Sequence, residues 1–214
     1  MDPKERQAHW ENVYRTKAET EVSWFQKTPT LSLDFIHSAG VGKDAAIIDI
    51  GGGESRFVDV LLDEGYTALS VLDISQKAVA ENQARLGRRA SYVTWIVADV
   101  TAWESERTYD LWHDRAAFHF LTEPADQDAY VARLVRALRP DGHLIIGTFA
   151  LDGPERCSGL PVVRYDARSL SQRLGPLFEL VESRNHEHHT PAGHVQRFQF
   201  SWFHRAGLGR PPRD

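Results

Sequence analysis

Ala45-Ala46-Ile47-Ile48-Asp49-Ile50-Gly51-Gly52-Gly53-Glu54 is the stretch that decides the fold. Its first half is a short apolar run without alternation, which is typical of a strand buried on both faces. Its second half is a run of glycines, which lets the backbone turn sharply and approach a ligand closely. Residues 54–64 follow with an apolar helical face. The stretch therefore predicts a central parallel strand, a ligand-binding loop and a helix.

The alternation of strand and helix continues after this stretch. We predict strands at residues 67–72, 92–98, 109–113 and 143–150, with a turn at 139–142 before the last of them. Helices are expected at 75–86 and after Thr122. These units predict an α/β fold with a doubly wound, mostly parallel sheet. Segments 177–186 and 195–204 flank a turn, so they predict a C-terminal antiparallel hairpin and a seven-stranded sheet.

The composition is that of an ordinary globular domain, with 214 residues, of which 42% are hydrophobic and 26% charged. Its 25 basic and 30 acidic residues give a net charge of −5, which argues against binding to nucleic acid. Cys157 is the only cysteine, so no intrachain disulfide can form. The charged N-terminus and the short apolar runs indicate neither a signal peptide nor a membrane span, and we expect a cytoplasmic protein.

Acidic residues occupy the predicted ends of three strands, at Asp49, Asp73 and Asp99. A dinucleotide-binding loop would carry a glycine where Arg56 stands, and Asp49 and Glu54 would repel a pyrophosphate. The pattern instead favours an adenosine that carries a cationic tail. Asp73 would accept hydrogen bonds from the ribose hydroxyls, and Asp99 would accept one from an exocyclic amine.

In these motifs the chain resembles the class I, Rossmann-like S-adenosylmethionine-dependent methyltransferases. Asp49 to Gly53 is similar to their first motif, and Leu138-Arg139-Pro140-Asp141-Gly142-His143-Leu144 is similar to the signature before their fifth strand. The resemblance implies S-adenosylmethionine as the cofactor. It implies cofactor contacts from Asp49, Gly51, Gly52, Gly53, Asp73, Ile74, Asp99 and Val100.

The N-terminal segment adds a group of aromatic residues. Helices are predicted at about 3–16 and 30–39, and an aromatic loop lies between them. Trp10, Tyr14 and Trp24 are similar to lid residues of small-molecule and some protein-lysine methyltransferases, so we expect them to cover the cofactor. The alternative is that they only pack on the sheet. We expect one domain over 1–206, with a lid (1–40), a cofactor-binding core (41–150), an acceptor-side half (151–206) and a flexible tail (207–214).

Polar residues at the end of the fourth strand are candidates for catalysis. His113 is expected to bind the cofactor or act on the acceptor, and Asp114 and His119 are candidate bases. A lone histidine in an apolar stretch such as His119 can equally be a packing residue. Methyl transfer needs a base only when the acceptor arrives protonated, because alignment and desolvation supply most of the effect.

The acceptor side is expected to contain Arg115, Cys157, Arg164, Tyr165 and His188. Alternating histidines at 186 and 188 could chelate a metal, but no accompanying ligand motif occurs, and we predict no metal. The leading hypothesis is methyl transfer to a small molecule by in-line displacement in a monomer or homodimer. The alternatives are a protein-lysine methyltransferase, a nicotinamide-dependent oxidoreductase and a cofactor-binding module without turnover.

Overall fold

The computed structural model describes residues 1–207, and these fold around one seven-stranded sheet. The strands in chain order are β1 (Ala46–Ile50), β2 (Ala68–Asp73), β3 (Val93–Val97), β4 (Tyr109–Arg115), β5 (Leu138–Phe149), β6 (Arg156–Cys157), β7 (Leu160–Pro161), β8 (Phe178–His189) and β9 (Val195–Arg205). The order across the sheet is β3-β2-β1-β4-β5-β9-β8, and β6 with β7 forms a separate small hairpin. The first five strands are parallel and β9 is antiparallel to both of its neighbours, which confirms the predicted fold.

Six α-helices flank this sheet in the described part of the chain. They are α1 (Pro3–Thr16), α2 (Thr30–Ala39), α3 (Phe57–Asp63), α4 (Gln76–Leu86), α5 (Pro124–Ala137) and α6 (Ala167–Leu174). Local signals set several of their ends. The Asp2 side chain caps α1, and Ser75 caps α4 by accepting from the Ala78 N–H. Gly40 ends α2 with a φ of 66°, a left-handed conformation that suits glycine.

The core lies on both faces of β1 and β4. All five residues of β1 are buried, as the absence of alternation in its sequence predicts. Ile48 and Trp112 belong to the cluster on one face, with α5 and α6, and Ile47 belongs to the cluster with α2 and α3 on the other. The centre of the sheet is therefore covered on both faces, and the carboxyl ends of its strands border the cavity described below.

One predicted boundary is wrong. The fifth strand begins at Leu138, not at residue 143, and the predicted turn at 139–142 is an irregular stretch inside it. Tyr109 of β4 pairs with Leu138 and Leu111 pairs with His143, so the intervening residues of β5 bulge out. Asp141 has a φ of 62° within the bulge, which explains why the segment has the sequence of a turn.

No helix within residues 1–207 is long and apolar enough to cross a membrane. The predicted flexible tail at 207–214 falls almost wholly outside the described residues.

Candidate functional site

A cavity of about 100 Å³ lies at the carboxyl ends of the parallel strands, between them and α1. This is the edge of an open α/β sheet where ligands bind. Among the residues expected to form the site, its lining includes Trp10, Tyr14, Trp24, Gly51, Asp73, Ile74, Asp99, Val100, Arg115 and Cys157. The structure thus brings together residues that are up to 147 positions apart in the sequence, from Trp10 to Cys157.

The glycine loop and Asp73 form one unit. Asp73 Oδ2 accepts from the Gly53 N–H at 2.7 Å, and Oδ1 accepts from the Ser75 N–H at 2.8 Å. Burial raises the pKa of Asp73 to about 6, although these two hydrogen bonds oppose the shift. Gly51 has a φ of 63°, and a β-carbon there would lie 2.7 Å from that of Ala117. The loop therefore needs glycine both for its conformation and for its close approach to the β4 end.

Asp99 lies at another part of the cavity wall, after β3. Its Oδ1 accepts from the Thr101 N–H at 2.9 Å and from the Thr101 hydroxyl at 2.7 Å. Its Oδ2 is buried, lies 3.2 Å from the Arg6 guanidinium and accepts no hydrogen bond. A buried carboxylate oxygen without a donor is costly, and a ligand amine would satisfy it.

Aromatic side chains from the lid cover the cavity. The Trp10 ring lies edge-on to Phe120, with centroids 4.9 Å apart, and to Trp24 at 5.8 Å. Tyr14 is buried, and its hydroxyl occupies the space that a β-carbon on Gly53 would take. Burial raises the pKa of Tyr14 well above its ordinary value, so the phenol stays protonated. These rings form an apolar roof directly over the glycine loop.

Polar contacts fasten the lid to the core. Arg6 bridges Asp99 and Asp126, the latter at 2.6 Å. Glu11 accepts from the Gln76 N–H at 2.5 Å and from the Lys77 N–H at 3.3 Å, which places its negative charge at the positive end of α4. Further along the N-terminal segment, Glu19 accepts hydrogen bonds from Arg56 Nε at 2.8 Å and from Arg56 Nη2 at 2.7 Å.

His113 does not line the cavity, contrary to the expectation of cofactor contact or catalysis. Its Nδ1 lies 2.7 Å from Asp49 Oδ1 and its Nε2 lies 2.8 Å from Ser32 Oγ, so both ring nitrogens are occupied. The ring also stacks on Phe57, with centroids 4.0 Å apart. Asp49 is likewise turned to His113 and is absent from the cavity lining. His113 and Asp49 pair because a buried carboxylate needs a hydrogen-bond donor. Together with Ser32 they connect β1, β4 and α2 beneath the glycine loop.

Asp114 is also directed away from the cavity. It accepts from the Ala117 N–H at 2.9 Å, the Phe118 N–H at 3.1 Å and the Tyr130 hydroxyl at 2.7 Å. Burial raises its pKa to about 6. A carboxylate with three donors and no access to the cavity holds the turn after β4, so this geometry gives it no contact with a reacting atom.

His119 is fully buried outside the cavity lining, against Phe120 and Phe149. Its Nδ1 accepts from the Phe149 N–H at 3.3 Å, and burial lowers its pKa to about 3. A group with so low a pKa is a weak base near neutral pH. The packing interpretation of His119 fits this geometry, whereas the catalytic one does not.

Two residues expected on the acceptor side reach the cavity. Arg115 donates to the Trp24 carbonyl at 2.9 Å, and burial is the main cause of its lowered pKa. The Cys157 thiol is buried 4.0 Å from the Ser23 hydroxyl, and burial raises its pKa, so it is no reactive thiolate.

The other three expected acceptor residues do not line the cavity. Arg164 donates to the Gly153 carbonyl and pairs with Glu155, which braces its own loop. Tyr165 packs on Phe118, and burial raises its pKa to about 12. His188 Nε2 lies 2.7 Å from the Ser23 carbonyl oxygen, so it joins the β8–β9 hairpin to the lid loop.

Sequence reasoning missed several cavity residues, of which Arg6, Gln196 and Phe198 are the most informative. A signal existed for each of them. Arg6 precedes Trp10 and Tyr14 at spacings of four residues, which places all three on one helical face. Gln196 and Phe198 are two apart on a strand and therefore share a face.

Comparisons with known proteins agree with this geometry. A family model described as a methyltransferase domain matches residues 47–142. Nodulation protein S of Rhizobium tropici is 28% identical over 111 residues, which are 52% of this chain and 46% of that protein. Thiocyanate methyltransferase 1 of Arabidopsis thaliana is 25% identical over 187 residues, 85% of this chain and 78% of that protein. The match to nodulation protein S therefore spans less than half of that protein's length.

A solved structure shares the fold. It is the N-methyltransferase NodS from Bradyrhizobium japonicum WM9 in complex with S-adenosyl-L-homocysteine, with a TM-score of 0.67 at 14% identity. The alignment covers 91% of this chain and 97% of that one.

The residues present fit S-adenosylmethionine. Asp73 lines the cavity beside the glycine loop, where a β-carbon on any of the three glycines would clash with a neighbouring side chain. Asp99 offers a buried carboxylate oxygen that accepts no hydrogen bond. Aromatic faces of the lid suit a sulfonium cation. Residues 47–142 match the methyltransferase-domain model, and the chain has the Rossmann-like fold of methyltransferases whose cofactor is S-adenosylmethionine.

Proposed function

We propose that this protein transfers the methyl group of S-adenosylmethionine to a small-molecule acceptor. The observation that carries the proposal is the composition of the cavity at the carboxyl ends of the parallel strands. Its walls run from Asp99 and Asp73, suited to an adenosine, to Phe149 and Phe198 at the far side of the sheet. The lid roofs this space, which supports an acceptor small enough to be enclosed. The name of thiocyanate methyltransferase 1 likewise refers to a small molecule.

The chain's own residues would bind, orient and desolvate the reactants. Asp73 would accept from the ribose hydroxyls, and Asp99 Oδ2 would accept from the adenine amine. When bound, S-adenosylmethionine supplies an electrophilic methyl group on a cationic sulfur. Trp10, Tyr14 and Trp24 would offer ring faces to that cation, at about 0.5–2 kcal/mol each. The aromatic roof would exclude water from the reacting atoms.

The main contribution of this site to catalysis is therefore the alignment of the cofactor with the acceptor. The candidate bases Asp114 and His119 are buried outside the cavity, so neither can take a proton from an acceptor held inside it. The geometry favours an acceptor that is nucleophilic when it arrives or that loses its proton to solvent. Correct positioning of two reactants contributes up to about 7–11 kcal/mol in favourable cases.

Two measurements test this proposal. Isothermal titration should show binding of S-adenosylmethionine and none of NAD, and Asp73→Asn should weaken binding of the former. Incubation with methyl-labelled cofactor and a cell extract, followed by separation by size, should place the label in the small-molecule fraction. Label in the protein fraction would favour the protein-lysine alternative. Binding of NAD in place of S-adenosylmethionine would favour the oxidoreductase, and cofactor binding without any transfer would favour a non-catalytic module.

A further inference from the structure

The far end of the cavity, formed by β5 and β9, has an apolar lining with one polar group. The sheet order places these strands beyond β4, on the side away from Asp73 and Asp99. Phe149 ends β5, and Gln196 and Phe198 lie at the start of the antiparallel β9, which begins at the same sheet edge. Since the adenosine end is at β2 and β3, the β5–β9 end remains for the acceptor.

Aromatic rings form most of this end. Phe149 and Phe198 meet edge-to-face with centroids 4.7 Å apart, and both are almost fully buried. Trp24 and Phe120 close the lid side of the same cavity. Such walls bind flat, apolar surface well, because aromatic pairs favour offset or edge-to-face contact with another ring.

Gln196 is the polar exception. It lines the cavity, and its Oε1 is buried without a hydrogen-bond partner. A buried carbonyl oxygen without a donor costs free energy in the protein alone, so a ligand that supplies an O–H or N–H would gain by satisfying it.

Charge distinguishes between the remaining acceptor classes. Among residues 1–207, no carboxylate lines this end of the cavity, so a cationic amine would find no counter-charge from them there. The nearest cation of the lining, Arg115, donates to the Trp24 carbonyl at 2.9 Å. Asp49 also lies close enough to stabilise the charge of Arg115. The bond to the Trp24 carbonyl uses one of the five guanidinium N–H donors of Arg115, so an anionic acceptor is the competing class, and the benzoate probe below tests it.

We infer that the acceptor is an uncharged aromatic molecule whose O–H or N–H group donates to the amide oxygen of Gln196. This inference rests on the proposed function and names the substrate class of the same site. The amide oxygen selects for a hydrogen-bond donor, and the phenylalanine walls select for an uncharged ring.

Four single-ring probes test the inference with the full chain saturated by S-adenosylhomocysteine. Phenol carries a donor, anisole is its methylated counterpart, benzoate is an anion and benzylamine is a cation at neutral pH. Ligand-observed NMR gives the four dissociation constants. Phenol should bind about three- to tenfold more tightly than anisole, the range for one net hydrogen bond. Benzoate and benzylamine should bind more weakly than phenol.

The variant Gln196→Leu should bind phenol and anisole equally and should keep the wild-type affinity for S-adenosylhomocysteine, which is measured first by calorimetry. Equal binding of phenol and anisole by the wild type would overturn the inference without any need for the variant. Tightest binding of benzoate would assign recognition to Arg115 instead, and tightest binding of benzylamine would also overturn it. Failure to bind S-adenosylhomocysteine would contradict the proposed function itself. Calorimetry detects this failure before any probe is added.

Discussion

Asp73 has two tasks at the centre of the site. Its carboxylate holds the glycine loop through the Gly53 N–H and the start of α4 through the Ser75 N–H, and it also faces the cavity. The ionised form accepts hydrogen bonds from all these partners, whereas protonation removes one acceptor position. Because burial raises its pKa to about 6, this change falls within an accessible pH range.

We expect the affinity for S-adenosylmethionine to fall as the pH drops through about 6. The sign follows because the protonated carboxyl, favoured below that pKa, is the weaker acceptor. Asp73→Asn should bind about 10- to 100-fold more weakly, as expected for loss of a charge-assisted hydrogen bond of about 1.5–3 kcal/mol. Calorimetry between pH 5 and 8 checks both effects.

Glu54 provides the control for this pH profile. Burial raises its pKa to about 7, and it follows the same loop. Glu54→Gln should retain the change in affinity near pH 6, whereas Asp73→Asn should lose it. A wild-type affinity that is constant from pH 5 to 8 would contradict the assignment of Asp73.

Gly53→Ala should displace the lid. The added β-carbon would meet the Tyr14 hydroxyl, and the φ of 41° adds backbone strain of about 1–2 kcal/mol. We expect at least a tenfold loss of cofactor affinity, since one lost contact of about 1.4 kcal/mol has that effect. Gly65→Ala is the matched control, because its φ of 85° is also positive but nothing lies near its β-carbon.

Denaturant unfolding and calorimetry separate the two effects. Both glycine variants should lose similar stability from backbone strain, but only Gly53→Ala should lose affinity. The double variant Gly53→Ala/Tyr14→Phe should recover part of the binding, because the hydroxyl is removed. Equal affinity losses in the two single variants would show that strain alone explains the effect.

At the scale of elements, α1 stands apart because polar contacts at its surface hold much of it. Arg6 and Glu11 bind the core through carboxylates and helix N–H groups, whereas Val13 and Tyr14 are the only buried residues of this helix. The Arg6–Asp99 pair is largely buried, with side-chain exposures of 12% and 10%, so the cost of desolvation offsets much of its attraction. Helix α1 should therefore detach at a lower free energy than the sheet unfolds.

Arg6→Ala should increase hydrogen exchange across residues 3–16 and raise the KM for S-adenosylmethionine, while the stability of the sheet stays unchanged. The reason is that Arg6 joins α1 to Asp99 and Asp126 at once. Arg15→Ala is the control, since Arg15 is exposed on the same helix and bonds only to Asn12 among the described residues. Equal exchange in both variants would show that Arg6 does not fasten the helix.

At the scale of the whole molecule, residues from the N-terminal segment cover one side of the cavity, and the strand ends of the sheet form the other. Removal of residues 1–27 should leave a folded sheet that binds the cofactor weakly and transfers methyl poorly, because the aromatic roof is lost. Circular dichroism checks the fold, and calorimetry with a transfer assay checks the function.

Hydrogen exchange of the lid in the intact chain tests the same idea without truncation. S-adenosylmethionine should slow exchange in residues 1–27, since the rings of Trp10, Tyr14 and Trp24 would gain a cationic partner. Equal protection with and without the cofactor would show that this segment is a fixed part of the fold.

The sequence by itself determined the fold class and pointed to the strand-end residues that line the cavity. Buried parallel strands have a continuous apolar pattern, and glycines and acidic residues at their ends are set by local backbone and ligand chemistry, so Gly51, Asp73 and Asp99 were recognisable. Only the tertiary structure decided which way polar side chains beside those ends point. His113 and Asp114 turn into the core because buried partners, Asp49 and Tyr130, satisfy them there. Gln196 reaches the cavity because β9 runs antiparallel beside β5. The spacing of Gln196 and Phe198 shows that they share a strand face, but it does not show which strand lies beside them.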